Sequence, residues 1–275
     1  MKKLYAAILT GVFLCCGGCR MSDRELDDLF ASGLALQKNR QYADAVGYYD
    51  KILEQTPRDC NTLFNKAICL SMLSRHREAL RVLRKCMKYH PERSVYHVHA
   101  AGEALRLWEL QEALAYAEKS RALAKDKTEK VDALSVLSDV YYALDRPKDY
   151  MPLLQECAEL DPDDDVSVSN YVIALLECPE RKLRDPQKAK ILAENLVKRR
   201  NTARAWFALE KILIADGDLA NARIANRKAL EALTDTDDLP LFMETEDQSA
   251  DGKRTTKFVS LRQLVEKSSL RYARQ

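Results

Sequence analysis

The feature that most constrains this chain is a pair of mostly small positions that recurs six times along it. In five of the six recurrences the two positions lie 12 residues apart, and in the fifth recurrence along the chain they lie 17 apart. Pro57 and Pro91 repeat on a related scale, 34 residues apart. A period in this range predicts a stack of helical hairpins, of which only the fifth carries an insertion between its helices. The pairs are Gly33 and Ala45, Ala67 and Ala79, Ala101 and Ala113, Ser138 and Tyr150, Val172 and Ala189, and Glu210 and Ala222.

Apolar residues within each unit fall at helical spacing. Leu63, Ala67 and Leu70 form one such stripe in the second unit, and a second stripe follows around Ala79 and Leu83. Neither helix of a hairpin can bury its stripe alone, so successive hairpins must stack to form a continuous core. A first helix is expected to begin at the Ser22 cap, because Glu25 follows three residues later as in a capping box.

The residues around the paired positions resemble the tetratricopeptide repeat, whose pattern runs W-x2-L-G-x2-Y, then A-x3-F, then P. The first unit reads Leu29, Ser32, Gly33, Leu36, Ala45, Tyr49 and Pro57 in those places. The resemblance implies an all-α fold, a right-handed superhelical solenoid of about six helix-turn-helix repeats with an extra C-terminal helix. The units span residues 26–59, 60–93, 94–127, 131–164, 165–202 and 203–236, and together the array spans 26–236.

The N-terminus resembles a bacterial lipoprotein signal. Lys2 and Lys3 precede an apolar run that ends in small residues before Cys19. The resemblance implies a signal peptide over residues 1–18, lipidation of Cys19 and a short tether over 19–25. A plain secretory signal is the alternative. Arg20 follows the cysteine, and in bacterial lipoproteins the absence of an acidic residue there favours the outer membrane, facing the periplasm.

Charge excludes a basic footprint for nucleic acid. Of the 44 Lys and Arg residues, Lys2 and Lys3 leave with the signal, so 42 remain against 42 acidic residues. A mature body with no net charge does not present the electrostatic surface that nucleic-acid binding requires.

The C-terminal part is expected to hold a linker at residues 237–257 and a helix at 258–273, capped by Ser260 with Gln263. Two interpretations of this helix stay open. It either shields the last hairpin from solvent, as solenoids commonly need, or it docks a partner.

No pattern in the sequence indicates catalysis, a cofactor or a metal. His97 and His99 are two residues apart, which on a helix points them to different faces. Neither a phosphate loop nor a nucleophile elbow occurs, and we expect no enzyme activity and no small-molecule substrate. Five cysteines follow Cys19, with no CxxC spacing among them, and their disulfide pairing stays open: Cys60, Cys69, Cys86, Cys157 and Cys178.

The remaining candidate site is the concave groove, which the resemblance places mainly on the first helix of each hairpin. Its first half is rich in apolar residues, and such surfaces usually mark interactions. The alternative is that a neighbouring helix of the same array covers these residues. The predicted protein-binding groove residues are Phe30, Leu34, Phe64, Asn65, Ile68, Met72, Val98, His99, Arg106, Asp139 and Tyr142, and further groove positions include Ile173, Phe207 and Ile214.

Signal and array together are similar to bacterial envelope lipoproteins with tetratricopeptide repeats, some of which promote assembly of pilus secretins. The resemblance implies a membrane-anchored, non-catalytic scaffold or adaptor that binds proteins or peptides through its groove. The alternative is a stoichiometric structural subunit of an envelope assembly or secretion machine, for example in pilus or outer-membrane protein biogenesis.

Overall fold

The computed structural model describes residues 21–234, 237, 240–248 and 253–272, and residues 240–248 and 253–257 through their backbone alone. Over these residues the chain forms 13 α-helices, one 3-10 helix and two strands. The predicted all-α fold of successive helices is confirmed, because helices pack on their neighbours in sequence within Met1–Val82 and within Leu83–Gln275. The helices are α1 (Asp23–Lys38), α2 (Tyr42–Gln55), α3 (Cys60–Met72), α4 (His76–Tyr89), α5 (Ser94–Arg106), α6 (Leu110–Leu123), α7 (Lys127–Ala143), α8 (Pro147–Leu160), α9 (Asp165–Glu177), α10 (Pro186–Arg199), α11 (Ala203–Ala215), α12 (Leu219–Glu231) and α13 (Leu261–Ser269).

The chain divides into two compact units, Met1–Val82 and Leu83–Gln275. In the first unit α2 packs against both α1 and α3. In the second unit each helix from α5 to α12 packs against the next one. First helices of neighbouring hairpins also touch, as α5 does with α7 and α9 with α11. Each unit therefore has the layered arrangement that the sequence repeat predicts.

The paired positions of the repeat lie in the core of their units. Ala67, Ala101 and Val172 are buried in first helices, and every partner position in a second helix is buried as well. Gly33 shows why the position is small: a Cβ atom added there would lie 2.7 Å from the Tyr49 ring. The small residue lets two helices approach closely, and the approach sets the geometry of the hairpin.

Five first helices end in the same way, with one residue in the left-handed backbone region. The next residue then donates its backbone N–H to a carbonyl oxygen five residues before it, as Gln41 does to Leu36 at 2.9 Å and Asp218 to Leu213 at 2.9 Å. This is the Schellman bond that closes a helix C-terminus. The left-handed residues are Arg40, Ser74, Trp108, Asp145 and Gly217.

The fifth hairpin turns differently, where the sequence predicts an insertion. A 3-10 helix, Arg181–Leu183, separates α9 from α10. The backbone N–H of Asp185 donates to the Leu175 carbonyl at 3.0 Å, which closes the longer turn. The Asp185 side chain then accepts from the Lys188 N–H at 2.9 Å and caps α10, with Pro186 in its first turn.

Both predicted capping boxes are present. The Ser22 N–H donates to the Glu25 carboxylate at 2.7 Å, and the Glu25 N–H donates to the Ser22 hydroxyl. Ser260 and Gln263 exchange the equivalent pair of bonds at the start of α13. Each box satisfies two N–H groups that a helix start leaves open, which fixes where α1 and α13 begin.

Residues 237–257 are not simply a linker, and that prediction is corrected. Strands β1 (Pro240–Gln248) and β2 (Lys253–Ser260) pair antiparallel in this region. Their register sets Glu244 against Lys257 and Asp247 against Arg254. The polar composition hid these strands, since a hairpin can be held by backbone bonds without an alternating apolar pattern.

Helix α13 packs on α11 and α12, as its interpretation as a closing helix predicts. Within the part of the chain that the structure describes, no helix is both long enough and apolar enough to span a bilayer. The predicted signal peptide and Cys19 lie outside the described residues.

Candidate protein-binding surfaces

Three of the predicted groove residues in the first unit lie together. Leu34 of α1 and Ile68 and Met72 of α3 line one concavity of about 320 Å³, which we call the α1–α3 concavity. Leu34 leaves 40% of its surface exposed, whereas Ile68 and Met72 are half-buried. Lys38, which the helical projection of α1 also puts on the groove side, lines it as well, together with Gln37 and Tyr42, which the sequence interpretation did not include.

Gln37 is the polar group that fixes the wall of this concavity. Its side-chain carbonyl oxygen accepts from the Tyr49 hydroxyl at 2.8 Å and from the Cys69 thiol at 3.5 Å. Burial raises the pKa of Cys69 to about 11 and that of Tyr49 to about 12, with Cys69 adding to the latter. Both donors therefore keep their protons at neutral pH, and the network holds its direction.

Phe30 does not share this concavity. Its ring lies 6.0 Å from the Tyr49 ring, and it lines a separate depression of about 420 Å³ with Ile52 and Thr62. Asn65 donates its side-chain N–H to the Asn61 carbonyl of its own helix at 2.9 Å, and Phe64 is half-buried. The apolar surface predicted for this unit is thus split in two. Among its predicted groove residues, Leu34 has the most exposed side chain.

A second surface is formed in the other unit by α5 and α7. It holds five predicted residues, and we call it the α5–α7 surface: Val98, His99, Arg106, Asp139 and Tyr142. Tyr142 is 39% exposed and its ring lies 5.6 Å from that of Tyr150. Val98, Arg106 and Asp139 are half-buried. The surface is therefore mixed, with charged groups among apolar ones.

Its charged groups are poorly solvated. Burial raises the pKa of Asp139 to about 7, although the nearby Arg106 and Arg204 guanidiniums oppose that shift. Burial also lowers the pKa of His99. The Arg106 guanidinium lowers this pKa further, whereas the Glu103 carboxylate raises it. His99 is nevertheless exposed to solvent. Its ring therefore lies in a concave part of the surface, where many protein atoms are near but water still reaches it. Charged groups of this kind discriminate strongly between partners, because an unmatched charge there is costly.

Phe207 was predicted to face the groove and is instead 3% exposed. Leu261 and Val265 of α13 pack against it, with Ile173 at the edge of the same cluster. A helix of the same chain therefore covers groove residues at this end of the second unit, but it is α13, which follows the array, and not a neighbouring helix of the array itself. The spacing within α11 carries no information about a helix that arrives from the end of the chain.

His97 and the cysteines are buried residues with structural roles. His97 is 8% exposed and its Nε2 lies 3.1 Å from the Pro91 carbonyl oxygen, so its ring packs in the core. All five cysteines from Cys60 onward are buried thiols, so none of them forms a disulfide in this structure. Among the described residues, no group of three or more His, Cys, Asp and Glu side chains is arranged to hold a metal ion. Neither surface unites a nucleophile with a base, and both offer contacts suited to binding.

Comparison with known proteins agrees with this architecture. The family model described as anaphase-promoting complex, cyclosome, subunit 3 matches residues 38–120. A search of curated proteins gives no match. A solved tetratricopeptide repeat protein from Parabacteroides merdae is 14% identical with a TM-score of 0.63, over 78% of this chain and 81% of that one.

Two further solved structures share this fold. PilF of Pseudomonas aeruginosa is 14% identical with a TM-score of 0.61, over 76% of this chain and 92% of that one. PilW, described as a widely conserved type IV pilus biogenesis factor, is 13% identical with a TM-score of 0.62, over 76% and 94% of the two chains. At these identities the likeness concerns the fold alone, and the chain shares the helical-hairpin fold of these solved structures.

Proposed function

We propose that this protein is a non-catalytic scaffold that binds protein segments through the α1–α3 concavity, tethered to a membrane of the bacterial envelope by a lipid on Cys19. The observation that carries the proposal is the exposure of Leu34 beside Ile68 and Met72 in a concave place. Apolar side chains in a concavity release water when a complementary apolar segment fills it.

The chemistry of the wall favours an amphipathic segment as the partner. Leu34, Ile68 and Met72 supply apolar contact, and methionine adapts its shape to different side chains. Lys38 stands at the edge of the same concavity and favours an acidic residue in the partner. A helix or extended segment with one apolar face and an acidic flank meets both conditions.

The envelope location rests on the signal-like N-terminus, and the outer membrane on Arg20 after Cys19. PilF and PilW share the fold, and an assembly role in the envelope is consistent with that likeness. A Cys19→Ala variant is expected to leave the membrane fraction of the native host. Retention of that variant in membranes, or a soluble wild type, would contradict the lipid anchor.

The binding proposal is tested by crosslinking in native membranes. Leu34→Asp is expected to lower the yield of crosslinked partners at least about tenfold, because a charge would be buried against apolar contacts. Ile224→Asp is the matched control, since Ile224 is exposed to a similar degree, 43% against 40% for Leu34, but lies on α12, the second helix of its hairpin. Equal loss in both variants, or no loss with Leu34→Asp, would refute the concavity as the site.

The same experiment separates the two roles. A single partner recovered in constant proportion indicates a structural subunit, whereas several exchanging partners indicate an adaptor. Both outcomes require the α1–α3 concavity, and they differ in the number and lifetime of the complexes.

A further inference from the structure

The last residues of strand β2 return to the α5–α7 surface. The guanidinium carbon of Arg106 lies 5.6 Å from the centre of the Phe258 ring. This is within the range of a cation–π contact, in which the positive group is attracted to the face of the ring. A residue near the C-terminus thus occupies a surface built by the third and fourth hairpins.

The buried residues directly after Phe258 in the chain anchor the end of β2. Val259, Ser260 and Leu261 are buried, and Leu261 joins Val265 against Phe207. Helix α13 is held further by the buried Glu210 carboxylate, which accepts from Ser268 and Tyr272. Phe258, which is half-buried, therefore directly precedes a firmly docked segment in the chain.

Arg106 is prepared for an aromatic partner. Gly102 lies one turn earlier on α5, and a Cβ atom there would come within 3.3 Å of the Arg106 guanidinium. The absence of a side chain at Gly102 leaves that space to the arginine. Glu103, which is buried, pairs with the guanidinium at 3.6 Å. Arginine held in this way keeps its planar face available, and aromatic rings stack on that face.

We propose that Arg106, with Gly102 and Glu103, forms an aromatic-binding subsite of the α5–α7 surface. In this structure the subsite holds the chain's own Phe258. A partner segment in extended conformation that carries a phenylalanine, tyrosine or tryptophan takes the same place when the hairpin moves away. The proposal deepens the proposed scaffold function and rests on it, but it concerns a different surface from the α1–α3 concavity.

The internal occupant has a built-in advantage. A segment tethered to the same chain acts at an effective concentration in the range of about 1 mM. An external segment must bind more tightly, or be present at a higher concentration, than this tethered segment. The hairpin therefore limits access to the Arg106 subsite of the α5–α7 surface. Extended backbone is expected in the partner because Phe258 itself is part of β2.

The test uses the full chain and a variant in which residues 240–258 are replaced by Gly and Ser residues of equal number. Two fluorescent peptides copy residues 253–258, one with the phenylalanine and one with alanine in its place. Binding is followed by fluorescence anisotropy, and circular dichroism checks that each protein keeps its helices.

The phenylalanine peptide is expected to bind the hairpin-replaced protein about tenfold more tightly than it binds the wild type. On the hairpin-replaced protein, it is also expected to bind about tenfold more tightly than the alanine peptide. Adding Arg106→Ala is expected to remove the difference between the peptides, whereas Arg106→Lys keeps part of it. Equal binding of the two peptides, insensitivity to Arg106→Ala, or no binding up to about 1 mM would overturn the subsite.

Hydrogen exchange in the otherwise native chain gives a second measurement. Phe258→Ala and Arg106→Ala should each speed exchange of the β2 amides, and the double variant should add little beyond either one. Additive effects, or no effect, would show that the two side chains do not hold the hairpin. Neither measurement involves Leu34 or membranes. Failure of the aromatic subsite can therefore be distinguished from failure of the proposed scaffold function, which the Leu34→Asp crosslinking tests.

Discussion

Glu210 of α11 accepts a hydrogen bond of 2.9 Å from the hydroxyl of Tyr272, which lies 62 residues later in the chain. The same carboxylate accepts from Ser268 at 2.5 Å and from Asn226 at 3.1 Å, and it is fully buried. Glu210 stands at the repeat position that most units fill with a small residue. The structure explains the exception, because Ser268 of α13, Tyr272 just after it and Asn226 of α12 supply the donors that a buried carboxylate needs.

We predict that Glu210→Ala destabilises the protein by about 2–4 kcal/mol and releases α13, since it leaves three buried donors without this acceptor. Tyr272→Phe removes one donor and should cost about 1 kcal/mol. Urea unfolding gives the free energies, and hydrogen exchange of the α13 amides reports the release. Unchanged protection of α13 in Glu210→Ala would contradict this role.

Two glycines in the first unit should respond in opposite directions to alanine. Gly33→Ala places a methyl group 2.7 Å from the buried Tyr49 ring and is expected to destabilise by about 1–3 kcal/mol. Gly47→Ala meets nothing within 4 Å on the exposed face of α2 and should stabilise by about 1 kcal/mol. Thermal unfolding of both variants provides the comparison. A shift of the same sign in both would show that the Gly33 contact does not limit the hairpin.

Asp139 should make the protein less stable as pH rises. Its pKa is raised from 3.8 to about 7 by burial, so between these values the folded state binds the proton that the unfolded state has released. The stabilising contribution of the protonated form is present below pH 3.8 and is lost through pH 7.

Asp139→Asn cannot ionise and should therefore gain stability relative to the wild type above pH 7. The gain is expected to be on the order of 1–2 kcal/mol, because solvent reaches this half-buried group and screens its charge. Unfolding free energies of both proteins at several pH values test this. A gain that is equal at pH 4 and pH 8 would exclude titration of Asp139 as its cause.

The buried thiols should resist alkylation in the native protein. Burial raises the pKa of Cys69 to about 11 and that of Cys157 to about 12. Reaction requires the thiolate, which for Cys69 is about one part in a thousand at pH 8. Peptide mass spectrometry after iodoacetamide treatment should find both thiols unmodified in native protein and modified in urea. Rapid native labelling of Cys69 would contradict the network around Gln37.

Much of the array could be predicted from local sequence. The spacing of Ala67 and Ala79 follows from two helices of fixed length joined by one turn, and such a unit repeats without reference to distant residues. The seventeen-residue gap between Val172 and Ala189 likewise located the insertion. Capping at Ser22 and Ser260 depended only on residues three positions away.

The candidate surfaces were predicted less completely. The helical period identified Leu34, Ile68 and Met72 as neighbours, and the structure brings them together. The helical period did not predict that the Phe30 ring packs near the Tyr49 ring, because this contact depends on how α2 packs on α1. Whether these surfaces bind partners stays a prediction, which the variants above examine.

The sequence by itself determined the repeat, its helices and the small residues where they meet, because each of these depends on neighbours along the chain. Only the tertiary structure decided that residues after the array form a hairpin, that α13 covers Phe207, and that Phe258 reaches Arg106. Those contacts join segments far apart in the chain, and no local period encodes them. The physical reason is that a buried charge such as Glu210 needs partners from wherever the folded chain can bring them.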